Sequence, residues 1–528
     1  MTGEAADGSL NNLISGVDGL CIADGSDEPQ LPQTLTTAID ELEQTVEYLN
    51  EQAANIKTLL SSNGELANGN TATVSQVYQQ TNRIGRVALW LNDAVLRSIV
   101  THITSLDNRR YSDTPKLLKH FEDSIKTITR RFLSQGNSDY AHTLWRIVEE
   151  CCIQAVPSGK LDPEEYCSED MEVRTQLNDH SKKEAEEDWT RFWAQCLNKC
   201  PGGPTLFIPP KHRLRFQLPP PPADDTPRYL FRAYDSGSWG SNGEEVFTSR
   251  GHERFGSVHS KQDLITMDKQ NASTMLHRHL NGPYRSTDAD NLVSWSSSLL
   301  STIQYANYRC WNYARQDPSN VFICTLDTTK FPKGQFASAK WLRGRYTRTR
   351  LDKEESEFLE KRFRNPDYGK GEYLSQGTLN VQGRSCTTSL LTLQEAGLGS
   401  LYQRLDINTE PDEFVRKKWP VYVRRLRDEW KTPHETTERE IEVARNMARE
   451  CFGVFNEMDI VLLLLAFRSR MLRGGVRYPG GKPSVMYKEE PDEVQRYGHL
   501  KLRQRTRSLD PATCLAQMFV LKLDDGSI

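Results

Sequence analysis

Three short segments, in a fixed order, hold the residues best suited to chemistry in this chain. Arg232 lies in Tyr229-Leu230-Phe231-Arg232-Ala233-Tyr234-Asp235. Ser294 and Ser296 lie in Asn291-Leu292-Val293-Ser294-Trp295-Ser296-Ser297-Ser298-Leu299. Glu372 lies in Gly371-Glu372-Tyr373-Leu374-Ser375-Gln376-Gly377. An arginine ending a strand offers a bidentate fork to phosphate. Small hydroxyls can approach a ribose and hold neighbouring side chains in place. A carboxylate near the ribose stabilises an oxocarbenium-like transition state, as carboxylates do in glycoside cleavage. Together these parts suit a nicotinamide dinucleotide, held by its pyrophosphate and split at its glycosidic bond.

The elements that must position these groups read as α+β. Residues 228–234 form a short aromatic strand and 263–280 a helix. Residues 291–293 lead through the serines into a helix with Leu299, Leu300, Ile303, Ala306 and Cys310 on one side. Residues 321–326 are a β-branched strand, and 354–364 a charged helix inside an insertion at 343–370. Short strands and turns follow to about residue 406. The tail is helical again, in a region taken as 408–528. Ile441, Ala444, Met447, Ala448 and Cys451 mark one face, 460–472 reads as a buried helix, and 512–523 as a last helix or strand.

Upstream, residues 1–30 have the composition of a disordered tail. A heptad follows: Leu35, Ile39, Leu42, Val46, Leu49, Ala53, Ile56 and Leu60. Spacings of four and three give one narrow apolar seam on a helix of roughly seven turns. Further stripes run through Val77, Ile84, Val87, Leu91, Val95, Ile99 and Ile103, and through Leu117, Leu118, Phe121, Ile125, Ile128 and Phe132. Leu144, Ile147 and Val148 begin another. Residues 31–200 therefore read as a helical bundle or coiled-coil region. The seam either packs inside its own chain or pairs two copies as a homodimer through residues 35–60. Residues 157–193 are acidic and weakly periodic, as a solvated arm would be. Residues 201–227, with Pro219-Pro220-Pro221-Pro222, read as a stiff linker.

The chain has 528 residues, a net charge of −4 and eleven scattered cysteines. The charge gives no global pull toward nucleic acid or an anionic membrane. No segment is apolar for long enough to span a bilayer. Residues 1–27 lack the basic start and apolar run of a signal peptide. Reduced thiols, a cytoplasmic location with the nucleus not separated from it, and no metal site are the expectations. Two basic runs, 343–350 and 503–507, read as solvated charged faces, so no nucleic-acid partner is expected.

The region 228–407 resembles an ADP-ribosyltransferase of the Arg–Ser–Glu class, the cholera-toxin and pierisin type. The family's opening strand corresponds to Leu230-Phe231-Arg232-Ala233-Tyr234-Asp235. Its Leu-x-x-His-x-x-Gly-like helix corresponds to Leu276-His277-Arg278-His279-Leu280-Asn281-Gly282. Its Ser-Thr-Ser strand end corresponds to Val293-Ser294-Trp295-Ser296, and its final glutamate to Glu372. The resemblance implies a split β-sandwich core flanked by all-α regions, with NAD as substrate. It implies that Arg232 holds phosphate and braces the fold, and that His279 sits against the dinucleotide. Ser294 would orient Glu372, the catalytic group, with Ser296 beneath. The acceptor would be an unknown protein partner. The acidic start, helical arms and this core are also similar to a group of fungal multidomain proteins.

Two departures bear on function. Arginine-modifying members carry a second glutamate two residues before the catalytic one, where this chain has Lys370. The central threonine is replaced by Trp295. Both leave open a second reading, a catalytically inactive ADP-ribosyltransferase-like interaction module.

Overall fold

The computed structural model describes residues 33–62, 71–107, 113–135, 140–169, 179–208, 226–256, 261–281, 290–312, 317–346, 369–409, 413, 418–473, 490–505 and 511–522. The tail at 1–30, the proline run and the helix expected at 354–364 lie outside them. The chain divides into two units, 1–94 and 95–528.

The first unit holds helix α1, Gln33–Ser62, and most of α2, Thr71–Ser105. The heptad produces the first of these, and Ile39, Val46, Leu49 and Ile56 of its apolar seam are exposed.

In the second unit, residues from Val95 onward continue α2 into a helical bundle. The partners are α3 (Thr114–His120), α4 (Glu122–Leu133), α5 (Tyr140–Gln154), α6 (Pro163–Glu169) and α7 (Asp179–Lys199). Ile99, Ile103, Phe121, Ile125, Leu144 and Val148 interlock, as their helical spacing requires. Where an arm is expected at 157–193, α6 and the second half of α7 pack into the bundle instead. Trp189, Phe192, Trp193, Cys196 and Leu197 form one buried face of α7, and Cys200 just after it is buried with them. The acidic residues before Trp189 masked that face, because the apolar period begins only in the second half of the helix.

The sheet is antiparallel in every pair, with the order β1-β7-β4-β2-β5-β8. The strands are β1 (Pro204–Thr205), β2 (Tyr229–Tyr234), β3 (Val246–Thr248), β4 (Leu292–Ser296), β5 (Phe322–Asp327), β6 (Ala337–Ser338), β7 (Glu372–Asn380) and β8 (Ser385–Ser389). β3 and β6 also pair with β7. Pro204–Thr205 therefore belong to the sheet, and Leu206 and Phe207 to buried cores, although composition placed them in the linker. Between the strands lie α8 (Arg250–Phe255), α9 (Lys269–Asn281), α10 (Leu299–Asn312) and α11 (Ala339–Tyr346).

Beyond β8 come α12 (Leu390–Glu395), α13 (Leu398–Leu401), α14 (Trp419–Glu429), α15 (Glu438–Phe452), α16 (Glu457–Leu465), α17 (Asp492–Arg505) and α18 (Pro511–Met518). A small parallel pair joins β9 (Thr436–Thr437) to β10 (Leu521–Lys522). These helices share one continuous core with β2, β5 and α10: Phe231 and Ile323 join Leu300, Ile303, Met447, Ile460 and Leu464. The buried helix expected over 460–472 ends at Leu465. There the chain turns so that Arg470 can reach Glu440 at 2.7 Å.

No helix among the described residues is long and apolar enough to cross a membrane. The nine cysteines whose side chains are described are free. Burial pushes the Cys152 thiol up to about 12, which makes it a poor nucleophile.

Candidate functional site

Strand pairing brings the three sequence segments together. β4 lies between β2 and β7, with Phe231 opposite Ser296 and Ser296 opposite Glu372. Side chains alternate along a strand, so Ser294 and Ser296 share one face and Trp295 takes the other. Trp295 is a core residue. Its ring packs on Phe247 at 5.3 Å, and its indole N–H donates to Ser375 Oγ at 2.9 Å. It therefore does not fill the cleft.

That cleft has a volume of about 460 Å³ and is bordered by Arg232, Arg250, His279, Ser294, Tyr305 and Glu372, among others. The size is typical of a small-molecule site. Arg232 donates through Nη1 to Ser294 O at 3.0 Å, through Nε to Asn242 Oδ1 at 3.0 Å and through Nη2 to Trp239 O at 3.3 Å. It thus ties β2 to β4 and to the loop that follows β2. Burial lowers its pKa, opposed by nearby Tyr305 and Cys324; an arginine stays charged regardless.

The centre of the cleft is a polar chain. Asp290 accepts from His279 Nδ1, with both carboxylate oxygens at 3.0 Å. His279 Nε2 lies 2.8 Å from Ser294 Oγ, and Ser294 Oγ lies 3.4 Å from Glu372 Oε1. The hydrogen-bond directions depend on the imidazole. A neutral ring with its proton on Nδ1 accepts from Ser294, so the hydroxyl cannot also donate to Glu372. A protonated ring donates to Ser294, which frees the hydroxyl proton for Glu372.

The other predicted residues are accounted for differently. Ser296 Oγ donates to Lys370 O at 2.6 Å and accepts from Ser298 N at 3.0 Å. Its hydroxyl fixes the turn into α10 and the entry to β7. Lys370 borders the cleft, with its ammonium 4.5 Å from the centre of the Trp419 ring. His277 is buried on the core side of α9, beside Leu276 and Leu280.

Sequence reasoning missed Asp290, which sits just before β4 and also accepts from Leu292 N at 2.9 Å. A carboxylate two residues before a strand is a common turn feature, so its type alone gave no signal. It also missed the support behind the serine run. Arg427 of α14 donates to Glu493 of α17 at 2.9 and 2.7 Å, to Ser301 Oγ at 3.0 Å and to Gly369 O at 2.8 Å. Ser298 Oγ donates to the same Glu493. Burial alone would raise the Glu493 pKa; the adjacent Arg427 and the Ser298 hydrogen bond bring it below its ordinary value. Glu490 accepts from Tyr373 Oη at 2.7 Å and from Ser297. Gly371 has φ +57, and a Cβ there would stand 1.7 Å from Ser297 Oγ. Only glycine fits.

Among the described residues, no group of His, Cys, Asp and Glu is arranged to hold a metal ion. A family model described as a domain of unknown function, DUF7587, matches residues 225–382. That span holds Arg232, His279, Asp290, Ser294 and Glu372, but not Trp419, Arg427, Glu490 or Glu493. No curated protein and no solved structure matches the chain.

Proposed function

We propose that the cleft cleaves NAD and transfers ADP-ribose to an acceptor, or to water as an NAD glycohydrolase. The observation that carries this reading is the chain Asp290–His279–Ser294–Glu372 on one wall of the cleft that Arg232 borders. The glycosidic bond breaks with its electron pair leaving on nicotinamide. Glu372 stabilises the positive charge that develops at the ribose carbon. The acceptor or water attacks that carbon, forms the new bond there and releases its proton to solvent. Ser294, donating to Glu372, holds the carboxylate in one orientation. Asp290, accepting from His279 Nδ1, fixes the ring so that Nε2 faces Ser294, and Asp290 is therefore a positioning residue. With Lys370 in the place of a second acid, the acceptor is not an arginine, which would meet a like charge.

An Asp–His–Ser chain also serves acyl transfer elsewhere. Here Glu372, 3.4 Å from the serine oxygen, would repel the oxyanion of a tetrahedral intermediate, so a fluorophosphonate probe should leave Ser294 unlabelled. Lys370 favours a second reading, an inactive binding module that keeps the cleft. Nicotinamide release by wild type and Glu372→Gln separates the two. Release that depends on Glu372 supports the enzyme, and no release with no NAD binding from folded protein supports the module.

A further inference from the structure

We infer that α1 is one strand of a parallel two-stranded coiled coil, and that the other strand is α1 of a second copy of this chain. The seam is uncovered: Ile39 is 46% exposed, Val46 47%, Leu49 36% and Ile56 37%. An apolar stripe this long on an isolated helix is unstable in water without a partner. The other helix of the first unit does not cover it, because Ile84 and Val87 of α2 are themselves exposed.

The seam residues define the partner. Successive spacings of four and three assign Ile39, Val46, Ala53 and Leu60 to the first heptad position and Leu35, Leu42, Leu49 and Ile56 to the fourth. In the first heptads, Ile39 and Val46 at the first position with Leu35, Leu42 and Leu49 at the fourth favour two parallel strands. The flanking positions agree. In a parallel pair Ala38 faces Glu43 of the second copy, Thr45 faces Asn50, and Gln52 faces Lys57. No like charges oppose each other. Asp40, Glu41, Glu47 and Glu51 fall on the outer positions, away from the seam.

The size is sufficient. At these exposures eight seam side chains, each losing on the order of 50–60 Å² of apolar surface, remove roughly 450 Å² per chain. The stems of Gln52 and Lys57 add to this, bringing the total over both chains to the roughly 1,000 Å² that a stable interface should clear. The inference does not rest on the proposed chemistry, and its test does not use it.

The test is the mass of the full chain in solution by light scattering, across low micromolar to tens of micromolar concentrations. The expected result is twice the chain mass of 60.4 kDa. Val46→Glu should return it to one chain mass while leaving the melting of the rest of the protein unchanged. A monomeric wild type, whether the seam then folds back on its own chain or stays bare, overturns the inference. So does a Val46→Glu variant that remains dimeric. Leu35→Cys checks direction: a parallel pair places the two new thiols together, whereas an antiparallel pair places each opposite Leu60. Oxidation should cross-link Leu35→Cys and not the wild type, which carries the same eleven native cysteines. A dimer in which Leu35→Cys does not cross-link overturns the parallel arrangement.

Discussion

Two polar chains are attached to the same serine run, and they are built to opposite ends. Toward the cleft, Asp290, His279, Ser294 and Glu372 form a line that borders open volume. Behind it, Arg427, Glu493 and Ser298 form a sealed network that also holds Ser301 of the cleft lining, with the Arg427 and Glu493 side chains only 8% and 3% exposed. The sealed network satisfies its members among themselves, as buried charge requires. The cleft chain ends on a carboxylate that a ligand can reach. The contrast separates two roles that residue type alone leaves mixed. Substitutions in the sealed network should cost stability, and substitutions in the cleft chain should cost chemistry.

The largest effect is expected at the sealed pair. Arg427→Met strands Glu493 in the interior and should cost about 3–5 kcal/mol of stability. Denaturant unfolding measures it, and Arg427→Met with Glu493→Leu should recover most of the loss. A single variant as stable as wild type would remove the distinction between the two chains. Gly371→Ala comes next. Its left-handed backbone and the clash with Ser297 should together cost about 2–4 kcal/mol, again seen in unfolding.

Asp290→Asn should have the opposite profile. It keeps an acceptor for His279 Nδ1 but removes the carboxylate charge at the far end of the cleft chain. Nicotinamide release should fall about 10- to 100-fold in kcat, with NAD affinity and melting temperature near wild type. If affinity and kcat fell together with stability, Asp290 would belong with the structural network.

The smallest effect concerns acid. The Glu493 carboxyl titrates below its ordinary 4.5 in the folded protein, so the unfolded chain takes up its proton first as pH falls. The stability it contributes is complete above that ordinary value and is lost as pH drops through the folded value. The melting-temperature gap between wild type and Glu493→Gln should therefore be widest near neutral pH and narrow in acid. A gap independent of pH would mean that Glu493 is not held ionised.

Local pattern made much of this legible. The heptad of α1, the strand carrying Arg232 and the serine passage from β4 into α10 all follow from short-range periodicity and composition. The order of Arg232, Ser294 and Glu372 sufficed to propose that they meet, and β4 pairing with both neighbours brings them together. The α+β class was legible for the same reason. The supports were not, because they come from far along the chain: Glu493 meets Ser298 across 195 residues. Nothing in the sequence around Arg427 or Glu493 differs from an ordinary charged helix face. Two of the misread segments failed for local reasons. An acidic lead-in hid the buried face of α7, and a turn inside an apolar run ended α16 early.

The most direct test of the account is nicotinamide release from NAD by the purified full chain, wild type beside Glu372→Gln. The prediction is measurable release by wild type and a loss of at least about 100-fold in the variant, equivalent to about 2.7 kcal/mol of transition-state stabilisation. Release that is unchanged in folded Glu372→Gln would contradict the role given to that carboxylate. No release from folded wild type would contradict the proposed reaction itself.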